Sequence, residues 1–189
     1  MIVKPDKLNL KPSEIKKKID VGGDCSDWHS IFGTNCYAYA LGLDLKEQRI
    51  CDKAYQIPGL MGSIILHRPI FELRKMSIED RMILDLDALK IEYKEVEPEE
   101  KYDYTFHTYR NSNSVSSITY SWPVAVFESE DDFHFLRKCH DGSWSHKVGF
   151  ISYPTEMDFD KKIITDPRKC NLEQYKYKKT YLLTLNQKW

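Results

Sequence analysis

The chain has 189 residues, with 28 basic against 29 acidic side chains and a net charge of −1. That length suits a single domain with a sizeable core, and the charge balance excludes a global field that would draw the protein to nucleic acid or an anionic membrane. Residues 1–6 lack the apolar run of a signal peptide, and no apolar stretch approaches the ~18 residues of a membrane span. The expectation is a soluble, cytoplasmic protein, with delivery into a host cell or a viral origin as the alternatives. Five cysteines, Cys25, Cys36, Cys51, Cys139 and Cys170, are odd in number and widely spaced, which in a chain without an export signal predicts free thiols.

In chain order, Ser13 is expected to cap a short basic helix packed through Ile15 and Ile19. Residues 22–30 read as loop and lead into Gly33-Thr34-Asn35-Cys36-Tyr37-Ala38-Tyr39-Ala40-Leu41-Gly42. There Asn35 opens a short helix and Gly42 closes it. Cys36 falls in the first turn, where unpaired N–H groups and the helix dipole predict a lowered thiol pKa and a nucleophilic sulfur. The same amides would hold an oxyanion, with Ser30, Asn35 and His29 as candidate side-chain donors. The opposing reading is a small buried cysteine at a helix start.

Residues 56–63 form a turn cluster. Ser77 caps a helix to Leu89 with apolar positions at Ile78, Met82, Leu86 and Leu89, and Ile91, Tyr93 and Val96 mark a strand. The tyrosine-rich residues 101–120 read as a long loop or an irregular strand pair. Strands are predicted at 123–128, 132–138, 143–150, 162–165 and 180–185, with Asp141-Gly142 as a hairpin turn. The fold class is therefore α+β: one domain over 1–189, its helical part (about 1–95) packed on an antiparallel meander (about 120–189).

A thiolate nucleophile needs an imidazole to accept its proton and a third group to orient that imidazole. His134, at the start of a strand, is the candidate base. His134, Cys139, His140 and His146 lie close in sequence, but no C-x-x-C pair occurs and Cys139 and His140 would point to opposite faces of a strand. No metal and no cofactor are expected. Arg137 and Lys147 read as surface charges, with substrate clamps as the alternative, Trp144 as core or groove wall, and the other four cysteines receive no role.

This order, Asn35-Cys36 opening a small-residue helix, then PVAVFE, then DFHFLRK and a polar residue on a later strand, resembles the papain-like cysteine peptidases. NCYAYALG, IPGLMG, DFHFLRKCHDGSWSHKVG and ITDPRKC look like a group within that superfamily found in bacteria, phages and large viruses, over residues 33–170 discontinuously. The resemblance implies a papain-like fold and acyl-enzyme hydrolysis or transfer at an amide, isopeptide or thioester carbonyl of a protein or peptide, with Cys36 as nucleophile and His134 as base. For the orienting group, Asp166 suits the papain order and His146 suits the cell-wall endopeptidases of the same superfamily. Asp166 is otherwise a turn residue, and His146 is otherwise the base itself. Papain proper has a glutamine six residues before its cysteine; Ser30 stands there in this chain. Two further readings stay open, a cell-wall amide hydrolase of phage or injected type and a catalytically silent binding module.

Overall fold

The structure, a computed structural model, describes residues 11–17, 19, 34–43, 55–100, 109–111, 114–150 and 152–188. Its helices are α1 (Pro12–Lys16), α2 (Cys36–Ala40), α3 (Leu60–Ile65) and α4 (Ile78–Leu89), with a 3-10 helix at Ile70–Lys75. The strands are β1 (Glu92–Val96), β2 (Tyr109–Asn111), β3 (Ser114–Glu128), β4 (Phe133–Lys138), β5 (Trp144–Lys147), β6 (Pro154–Thr155) and β7 (Lys176–Lys188).

The longest helix follows its sequence signals. Ser77 accepts the amide of Asp80, two acids occupy the first turn of α4, and Ile78, Met82, Leu86 and Leu89 are buried; a left-handed Lys90 stops it. Asp85 is also buried on α4. Its carboxylate accepts from the Tyr37 hydroxyl at 2.6 Å, the Gly59 amide at 2.7 Å and the Gly62 amide at 2.6 Å. One side chain thus ties α4 to α2 and to the start of α3. The close approach explains the glycine at 62, where a Cβ would lie 2.5 Å from the Leu84 carbonyl oxygen.

All strand pairs are antiparallel, in the order β1-β7-β3-β4-β5-β6, with β2 beside β3. One face of the sheet, through Val124, Val126, Phe135, Leu183 and Leu185, packs on α1, α2 and α4. The other buries Ala125, Phe127, Leu136 and Trp144 against Ile164 and Leu172 from the 156–175 connection. Covering both faces is why β4 and β5 are buried almost throughout. Among the described residues, no helix is long and apolar enough to cross a membrane.

Several expectations need correction. The sheet is not a simple meander, because β7 inserts between β1 and β3 and so joins the strand after the helices to the rear of the chain. Residues 162–165 make only an isolated bridge, Met157 to Ile163. The cap of α1 is Lys11 with Pro12 at the first helical position, a place where its missing N–H costs nothing, so Ser13 lies inside the helix. Arg137 and Lys147 are buried rather than surface charges. Cys139 is disulfide-bonded, so the expectation of free thiols fails there; its partner lies outside the described residues. Cys36 and Cys170 are free. The loop at 22–30, with Ser30 and His29, also lies outside the described residues.

Candidate active site

Asn35 is the cap of α2. Its side-chain oxygen accepts the Ala38 amide at 3.1 Å and its amide nitrogen donates to the Gln56 carbonyl at 2.7 Å. Those bonds fix where α2 begins, and with it the sulfur of Cys36. As an oxyanion donor Asn35 keeps one amide hydrogen beyond the one given to Gln56. The sulfur rests against β4, 3.9 Å from the Phe133 carbonyl oxygen, and a contact with the Phe135 backbone flanks His134 from the other side.

Alternation along β4 points Phe133 and Phe135 toward α2 and His134 to the opposite side. His134 and Cys36 nevertheless line one cleft of about 420 Å³, because the sulfur lies at the backbone where β4 begins. Leu136 pairs with His146 across the β4–β5 hairpin. His134, two residues from Leu136, is thus the diagonal same-face neighbour of His146, and the two rings meet, Nε2 of His134 lying 2.7 Å from Nδ1 of His146. The Nε2 of His146 lies 2.9 Å from the Met157 carbonyl oxygen.

These contacts determine the tautomers. A carbonyl can only accept, so His146 Nε2 carries the hydrogen. Both imidazoles are neutral: burial, then the neighbouring His146 charge, pushes His134 down to about 3, and burial lowers His146, opposed by its bond to Met157. A neutral His146 with hydrogen on Nε2 has its lone pair on Nδ1, so His134 donates from Nε2. The lone pair of His134 is left on Nδ1. Tyr175 packs its ring 5.2 Å from that of His134 and donates its hydroxyl to Asp132 at 2.6 Å, while Phe159 lies 6.3 Å from the His146 ring.

Asp166 is elsewhere. Its carboxylate accepts from Arg168 at 2.8 and 2.9 Å and pairs with Lys169 at 3.1 Å, and those cations hold it well below the usual carboxylate range. The same Arg168 reaches Glu97 and Glu99. Asp166 thus closes a turn and anchors the 166–169 segment to the acidic 97–100 linker, and the group bonded to His134 is His146.

The expected lowering of the Cys36 pKa is reversed. Burial pushes the thiol up to about 12, with the Asp132 charge adding to the rise and backbone amides only partly offsetting it. A five-residue helix is too short and too enclosed for its dipole to outweigh desolvation. The cleft thus holds a neutral thiol and a neutral imidazole in its lining.

Sequence reasoning missed Asp132, Gln174, Tyr175, Val148, Phe150 and Phe159, all lining the cleft. Their separation along the chain left no motif to read; the only signal was the D-x-H spacing, in which Asp132 lies two residues before His134. No protein-family model, no curated protein and no solved structure matches the chain.

Proposed function

We propose that the chain is a papain-like, cysteine-dependent hydrolase that opens an amide, isopeptide or thioester carbonyl of a protein or peptide through an acyl-enzyme. The observation that carries this reading is the relay from the Met157 carbonyl through His146 to His134, which leaves Nδ1 as the unprotonated nitrogen of a histidine that lines the same cleft as Cys36. In the reaction, the Cys36 proton passes to Nδ1 of His134 as sulfur bonds to the carbonyl carbon. The oxyanion collapses, the leaving amine takes the proton from His134, and water, deprotonated by the same nitrogen, releases the acid. His146 accepts from the imidazolium throughout, and Asp166 has no part in the step.

Val148, Phe150 and Phe159 stay partly exposed around the cleft, which favours an apolar side chain beside the scissile bond. A cell-wall amide hydrolase is the second reading, and the Cys139 disulfide favours it, since disulfides persist in oxidising compartments and weigh against a cytoplasmic home.

The test is intact-mass detection of an acyl-enzyme after mixing with peptide esters, ubiquitin-type thioesters and peptidoglycan fragments. A covalent adduct confined to Cys36 and lost in His134→Ala is expected, and the substrate that forms it separates the two enzymes. Turnover retained in Cys36→Ala would overturn Cys36 as the nucleophile, and thiol probes labelling Cys36 no faster than Cys170, with no adduct from any substrate, would leave a binding module.

A further inference from the structure

Lys147 ends β5 with a fully buried side chain. Its Nζ donates to the Thr34 carbonyl at 2.7 Å, the Gly149 carbonyl at 3.0 Å and the Phe150 carbonyl at 2.8 Å. A neutral amine has two hydrogens to give, whereas three acceptors at these distances use all three of an ammonium. Among the described residues no carboxylate pairs with it and its partners are carbonyl dipoles, an arrangement that costs free energy unless an anion forms nearby. Thr34 is two residues before Cys36, and Gly149 and Phe150 line the cleft. Burial lowers Lys147 to about 8, and the Cys36 charge opposes that fall.

Deepening the hydrolase reading, on which it rests, we propose that Lys147 is a positioning residue that serves as the built-in counter-charge of the Cys36 thiolate and ties the start of α2 to the cleft rim. The neutral histidines supply a proton acceptor but no standing positive charge. The other titratable residues lining the cleft are Asp132, whose charge opposes ionisation of the sulfur, Glu173, and the uncharged Tyr175 and His134. Lys147 is a fixed cation bonded to the residue two before Cys36 and to two carbonyls of the cleft rim, held in place before any substrate arrives.

The test compares alkylation of Cys36 by anionic iodoacetate and neutral iodoacetamide in the full chain, each followed across pH by peptide mass. Loosening of the loop slows both reagents alike; loss of a cation slows the anion selectively. In Lys147→Met the iodoacetate-to-iodoacetamide rate ratio should fall by about tenfold or more and the apparent thiol pKa should rise, while Lys147→Arg should hold the ratio within about threefold of wild type. An unchanged ratio and profile in folded Lys147→Met would overturn the proposal. Should that variant not fold, the wild-type protein decides: a ratio at Cys36 above that of free cysteine supports the counter-charge, and an equal or lower ratio overturns it. No substrate enters the measurement. Absence of hydrolysis alone would therefore sink the enzyme reading and leave the counter-charge standing, whereas a flat ratio beside intact hydrolysis would do the reverse.

Discussion

His146→Leu removes the acceptor for His134 Nε2 while keeping an apolar side chain of similar bulk on β5. In the ground state the lost bond joins two neutral rings at 2.7 Å and is worth about 1 kcal/mol. Once His134 carries the Cys36 proton the bond becomes charge-assisted, worth about 1.5–3 kcal/mol. Only the excess in the charged state lowers the barrier, and added to the loss of the correct tautomer it predicts a fall in kcat of about 10- to 100-fold with little change in KM. His146→Asn places an amide oxygen near the position of Nδ1 and should recover most of that loss. Single-turnover acylation by a peptide thioester, with far-UV and near-UV circular dichroism to confirm folding, reads the effect. Activity within twofold of wild type in folded His146→Leu would refute the orienting role. A loss larger than that of His134→Ala would make His146 the base.

Asp166→Ala should leave acylation within about twofold. It should cost no more than about 1 kcal/mol of stability by urea denaturation, because the ion pairs it loses are at the surface. Asp85→Asn replaces an oxygen acceptor with an N–H in a fully buried site where three donors already converge. It should cost about 2–4 kcal/mol and lower Tm by about 5–15 °C in a calorimetric scan near neutral pH; a shift under 1 °C would remove Asp85 as the strut between the helices. Burial raises the Asp85 carboxyl from 3.8 to about 7 in the folded protein, against the three donors. The folded state therefore binds the proton more tightly than the unfolded chain, and this group's contribution to stability is greatest below about pH 4 and is lost as pH rises toward 7. In Asp85→Asn that component of the pH dependence of Tm should vanish.

The local signals that sequence carries well are those resting on adjacent residues. The Ser77 cap and 3–4 spacing on α4, the Asn35 cap on α2 and the Asp141-Gly142 turn all depend on backbone groups within a few positions. Cys36 at the first turn and His134 at a strand start were legible for the same reason. Strand pairing was less so. The insertion of β7 between β1 and β3 joins residues some ninety positions apart, and nothing in either segment alone records its partner.

The amino-acid order alone determined an α+β chain, the place of Cys36 on a helix start and the candidacy of His134, because capping, periodicity and turn chemistry are local. Tertiary structure decided the rest. It chose His146 over Asp166 as the group bonded to His134, since diagonal pairing across a hairpin puts like-faced side chains in contact while an arginine two residues away captured the aspartate. It turned Lys147 from a solvated charge into a buried one and raised the Cys36 thiol instead of lowering it. Burial depends on what the whole chain stacks above a residue, and desolvation outweighs the short-range effects that a sequence window can show.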